Sequence, residues 1–105
     1  MKIKLEPEKT TLRISKNELK VLLLDQKLFD SIILPGGKQV KINVSVGDTE
    51  LYLFNENQFL IELPKHLIDD YKPSKTGLSF YFQIDNQKIH QLIFEVDIRK
   101  RPLKS

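Results

Sequence analysis

The chain has 105 residues, no cysteine and a formal net charge of +3, with 40% hydrophobic and 30% charged side chains. That suits one soluble globular domain, and the missing thiols exclude disulfides, thiolate catalysis and cysteine-ligated metal. No apolar run approaches the ~20 residues of a bilayer span, and Met1-Lys2-Ile3-Lys4 before Glu6 and Glu8 is no secretory h-region, so a cytoplasmic bacterial-type protein is expected.

The charge is unevenly spread. Residues 46–70 carry Asp48, Glu50, Glu56, Glu62, Asp69 and Asp70 against Lys65, whereas both ends of the chain are basic. Along the chain, Ser15-Lys16-Asn17-Glu18 reads as a capping box opening a helix whose apolar stripe is Leu19, Leu22 and Leu23. Val40, Ile42, Val44 and Val46 alternate with polar residues, as strands do. So do Phe59, Ile61 and Leu63, then Leu78, Phe80, Phe82 and Ile84, and finally Leu92, Phe94, Val96 and Ile98. Turn signals separate them at Pro35-Gly36-Gly37, Gly47-Asp48, Asn55-Glu56-Asn57 and Asp85-Asn86. Pro64 suits the first turn of a second helix, buried through Leu67, Ile68 and Tyr71 and ended by Pro73. The predicted fold is a single α+β domain over residues 1–98 with a basic tail over 99–105. It is mainly an antiparallel β meander, open or curled into a small barrel, with two short helices.

"LRISKNEL" (Leu12–Leu19) is echoed by "IELPKHL" (Ile61–Leu67). Laying Ile14-Ser15-Lys16 over Leu63-Pro64-Lys65 needs a one-residue gap before Leu19 meets Leu67. Strand-to-helix corners recur in α+β domains, so the echo reads as a common corner rather than an internal repeat.

Candidate sites are few. His66, Asp69 and Asp70 share i, i+3, i+4 spacing, but a surface ion pair explains them better than a metal, and no metal or cofactor is expected. Gly36-Gly37 reads as a hairpin turn rather than a phosphate loop. Glu95 and Asp97 lie on one strand face and suit an acid–base pair in a small enzyme; a cross-strand ion pair with Arg13, Lys4 or Lys88 is the simpler reading. Arg99, Lys100, Arg101 and Lys104 are possible anion or nucleic-acid contacts, without interleaved aromatics for stacking. Strands with apolar residues on both faces, at Tyr52, Phe54, Leu60, Ile89 and Ile93, suggest an interaction surface.

Two resemblances add to this. Leu63-Pro64-Lys65, Leu67 and Gly77 before Leu78-Ser79-Phe80 resemble the swapped-hairpin transition-state regulators and antitoxins. This stretch belongs to the acidic part of the chain, which is wrong for DNA. The opening, through Leu12, Arg13, Ile14, Ser15, Lys16 and Glu18, resembles that of a family of small uncharacterised bacterial proteins, as do the strand-Pro-helix unit and the last strand with Glu95 and Asp97. That family often has a cysteine after the last strand, absent here, and implies no activity. The functional expectation is therefore a non-enzymatic protein-interaction module that associates with another protein or with itself as a homodimer. The alternatives are a nucleic-acid-binding or antitoxin-like regulator using the basic termini, or a small enzyme using Glu95 and Asp97.

Overall fold

A computed structural model describes residues 1–73 and 76–98 of the chain. Short turns join the alternating segments into hairpins: β1 (Lys2–Glu6) with β2 (Lys9–Ile14), β3 (Lys27–Ile33) with β4 (Gln39–Gly47), β5 (Leu51–Asn55) with β6 (Gln58–Pro64), and β7 (Leu78–Gln83) with β8 (Ile89–Val96). Helix α1 (Lys16–Asp25) follows the first hairpin and α2 (Lys65–Asp69) the third.

The hairpins do not continue as a meander. They assemble into two four-stranded sheets ordered β1-β2-β8-β7 and β3-β4-β6-β5. At the centre of each is a parallel pair, β2 with β8 (Leu12 opposite Phe94) and β4 with β6 (Val44 opposite Ile61). The expected antiparallel meander is thus corrected to two mixed sheets. Nor is a closed barrel found among the described residues. Instead, the start of β1 lies by β3, the Met1 ammonium 3.7 Å from Asp30 Oδ2. Tyr52 on β5 meets Phe82 on β7 with ring centroids 6.0 Å apart. Side chains rather than a backbone ladder fill these two seams. Between the sheets lie Leu12, Ile14, Leu92 and Phe94 from one side and Ile42, Val44, Ile61 and Leu63 from the other, all buried.

The two halves of the chain share one plan: hairpin, helix, hairpin. At a single constant offset, Leu12 falls on Ile61, Ile14 on Leu63, Ser15 on Pro64 and Lys16 on Lys65. Without any gap, the buried Leu19 of α1 then falls on the buried Ile68 of α2. The echo is a structural repeat, contrary to the sequence-level expectation. Aligning Leu19 with Leu67 obscured it, since Leu67 is exposed. Matching bonds recur in both halves. Leu34 N–H donates to the Lys38 carbonyl (2.7 Å) as Ile84 does to that of Lys88 (2.9 Å), and Lys41 N–H donates to the Asn57 carbonyl as Gln91 does to that of Glu8, both at 3.0 Å. Each sheet takes one hairpin from each half, so neither half can complete a sheet alone.

The α1 capping box forms as the sequence predicts: Glu18 N–H donates to Ser15 Oγ (3.1 Å), and Ser15 N–H donates to Glu18 Oε1 (2.9 Å). Leu19 and Leu22 are buried, whereas Leu23 is exposed. Gln26 ends the helix in the left-handed region (φ 64°), a conformation that costs energy for a residue with a Cβ. Three bonds hold it: its N–H to the Leu22 carbonyl, its amide to the Leu23 carbonyl, and its carbonyl accepting from Val46 N–H. In the second half, Pro64 precedes α2 as its N-cap, and Tyr71 packs against the core just beyond it.

Gly77, entering β7, is required by close approach. A Cβ there would collide with the Phe94 carbonyl oxygen on the neighbouring β8 and stand 3.1 Å from Glu95 Cβ. Gly77→Ala is expected to cost roughly 1–3 kcal/mol of stability, read as a lower midpoint in urea unfolding. Cutting the chain in the β4–β5 turn, within residues 48–50, should give two fragments that are each unfolded as monomers. Mixed, they should recover the β signal in circular dichroism, because every sheet needs both. A fragment that folds alone as a stable monomer would contradict the exchanged-hairpin architecture.

Candidate binding surface

Because strands alternate, one set of side chains on the first sheet faces outward. Strand pairing arranges it in rows: Lys2, Arg13 and Glu95; Lys4, Thr11, Ile93 and Ser79; Glu6, Lys9, Gln91 and Tyr81. A surface depression of about 760 Å³ covers the β1, β2 and β8 part of these rows and reaches round the outer edge of β1 to Ile32 on β3. Its polar wall is cationic, with Lys2, Lys4, Lys9 and Arg13 against Glu6 and Glu95, and half-buried Ile93 is among its apolar lining.

The ion pairs differ in quality. Arg13 Nε donates to Glu95 Oε1 at 2.8 Å and Nη2 lies 2.7 Å from the same oxygen, the two residues being direct partners in the parallel ladder. Arg13 is one of the three cations that the sequence offers as partners for Glu95 and Asp97. Lys4 and Lys9 reach Glu6 only at 3.9 and 3.8 Å, in the exposed geometry that contributes little stability and leaves the ammonium groups able to meet another anion. Asp97 lies past the end of β8, where its backbone N–H donates to the Ile14 carbonyl (2.8 Å).

The remaining sequence candidates do not form one patch. Ile93 and Ile89 lie on the outer face of the first sheet and Leu60 on that of the second. Tyr52 points inward, because the two-residue turn at Glu56-Asn57 sets it opposite the buried Ile61. Phe54 shares that face but is exposed near the hairpin end, while Leu51 and Leu53 point out. Lys65 Nζ and Asp69 Oδ2 form an i, i+4 ion pair at 3.1 Å, and no group of three or more potential metal ligands occurs among the described residues. Arg99, Lys100, Arg101 and Lys104, with the rest of the 99–105 tail, lie outside the described residues. No helix among the described residues is long and apolar enough to cross a membrane.

Sequence reasoning missed a polar cluster in the β5–β7 seam. The Thr10 hydroxyl, fully buried, lies 2.7 Å from Tyr52 Oη and 2.7 Å from His90 Nε2. It can donate to one and accept from the other, which satisfies the buried oxygen and ties β2, β5 and β8 together. Burial pushes the Tyr52 hydroxyl pKa up, partly offset by the bond to Thr10. The missed signal was the hairpin register: counting back from Ile61 through the Glu56-Asn57 turn puts Tyr52 inside.

Glu18 joins three elements. Besides capping α1, its Oε2 holds the Met1 ammonium at 2.9 Å, at the head of β1 and beside Asp30 of β3. Burial acts to raise the Glu18 pKa, but the bonds from the Met1 ammonium and from Ser15 outweigh it and leave the carboxyl below its usual value. A depressed folded-state pKa means stability that is present above the unfolded pKa and lost as pH falls through the folded one. The stability advantage of the native chain over Glu18→Gln should therefore hold at neutral pH and shrink below pH ~4.3, the usual glutamate value. Parallel urea titrations across that range check it, and a pH-independent difference would refute the assignment.

Comparison with known proteins adds no relative: no protein-family model matches the chain, and no curated protein or solved structure is significantly similar to it.

Proposed function

We propose that the chain is a non-enzymatic binding module that takes an extended acidic segment of another protein along β1, across the cationic outer face of the first sheet. The observation that carries this reading is the depression lined by Lys2, Lys4, Lys9 and Arg13 beside the edge of β1, which meets β3 through side chains and has no ladder partner there among the described residues. An edge strand offers unpaired backbone groups to an added strand, and side chains then supply the selectivity. Lys2 and Lys4 are two residues apart on one face, hence ~7 Å apart along the strand. Acidic residues at alternate positions of an added strand repeat at that same spacing.

Charge alone would also suit a nucleic acid. A single-stranded nucleic acid, however, is gripped by stacking on aromatic rings. The one outward aromatic of this sheet among the described residues is Tyr81, on the far edge strand β7. The Glu95 carboxylate already takes two contacts from Arg13, which favours a positioning role for that pair over acid–base chemistry.

Fluorescence anisotropy with a labelled peptide alternating Glu and Val tests the reading. Saturable binding is expected in low salt, weakened roughly tenfold or more by the double change Lys2→Glu and Lys4→Glu. A lysine-for-glutamate peptide should not bind. Unchanged affinity in the double variant would refute the site, and tighter, steeply salt-dependent binding of a single-stranded oligonucleotide would establish the nucleic-acid alternative instead.

A further inference from the structure

The two outer faces occupy equivalent places in the repeat, yet their chemistry differs. Where the first sheet has Lys2, Lys4 and Thr11, the second has Leu51, Leu53 and Leu60. One row of the second sheet runs Phe29, Asn43, Leu60, Leu53 across all four strands, with Phe29 59% and Leu53 48% exposed at its two ends. The row beside it runs Lys27, Ser45, Glu62, Leu51.

We infer that this face is a two-fold interface between two copies of the chain. The pattern is self-complementary. A two-fold axis parallel to the strands, between β4 and β6, lays β3 of one copy over β5 of the other. Phe29 then meets Leu53 and Leu60 meets Asn43, each contact occurring twice as closed symmetry requires. The same operation sets Lys27 over Leu51, next to Glu62, so the cationic β3–β4 half of one face, which also carries Lys41, meets the half of the other that bears the carboxylate. No like charges stand directly opposed. The central Asn43 keeps one of its amide hydrogen bonds when it is covered, because its Nδ2 already donates to Gln58 Oε1 at 3.0 Å within the same sheet. Face-to-face sheets pack ~10 Å apart, a distance that Phe29 and Leu53 together fill.

Sedimentation equilibrium tests it on the full chain at up to ~100 µM, where a complex of micromolar Kd is dimeric. The native chain should dimerise, and Phe29→Lys and Leu53→Glu should each weaken the dimer at least ~10-fold. Mixed one to one, the two variants should associate with each other. In that pair the introduced ammonium and carboxylate face one another at one junction, while a native Phe29–Leu53 contact closes the other. Both positions are exposed, and circular dichroism verifies that the variants fold. Lys27→Glu, which would set a carboxylate next to Glu62 of the other copy, is the second probe and should weaken the dimer too. A native chain that stays monomeric, or a mixture no more associated than the separate variants, overturns the interface. Dimerisation unaffected by all three changes places it elsewhere and overturns this assignment.

Discussion

Two parallel ladders, Lys9–Ile14 on Gln91–Val96 and Lys41–Gly47 on Gln58–Pro64, tie the halves of this chain together, and every other feature depends on them. Parallel pairing is slightly less stable per residue than antiparallel and survives best when covered on at least one face. Here each ladder is central in its sheet and presents its inner side to the opposing sheet, where Leu12, Phe94, Val44 and Ile61 are buried. The four antiparallel hairpins are local. The β2–β8 ladder joins strands from opposite ends of the chain, so its loop closure costs entropy before the contacts are gained, whereas β4 and β6 are separated by β5 alone. A protein held this way has no independent subunit within it.

Duplicated frames normally repeat their interiors more strictly than their surfaces, and this one departs in both places. Inside, Thr10 stands where the other half has Phe59, and His90 where it has Val40. Thr10 is the buried polar side chain of the described core, so it needs partners, and Tyr52 and His90 supply them. The seam between β5 and β7 is consequently aromatic and hydrogen-bonded. The equivalent seam between β1 and β3, with Ile3 and Ile32, is aliphatic and secured by charge where the Met1 ammonium meets Glu18 and Asp30. Outside, one face is cationic and the other apolar. A pseudo-symmetric frame that offers unlike faces suits a protein engaging two kinds of surface.

Strain concentrates at the joints. Gln26, Glu56 and Asn57 all have positive φ without being glycine, and they sit where a helix gives way to a strand and where a two-residue hairpin turns. At the β4–β5 turn, Glu62 Oε2 accepts both the N–H (3.1 Å) and the hydroxyl (2.7 Å) of Thr49, and these bonds lower its pKa. These contacts fix the angles at which hairpins leave their own half and reach the other.

Features governed by near neighbours were legible in the sequence. The Ser15–Glu18 capping box, the Gly36-Gly37 turn and the strand alternations depend on residues a few positions apart, and all are present. The Arg13–Glu95 pair was also within reach, since both residues alternate outward on apolar strands. The choice of partner strand was not. A period-two pattern states which face is buried but not against whom, and the parallel pairs have no connecting turn to announce them. The repeat hid for the same reason: its halves agree in burial, as at Leu19 and Ile68, while their letters diverge wherever a face acquired new chemistry. Only packing of the whole chain, in which each half lacks what the other holds, decides that the hairpins exchange.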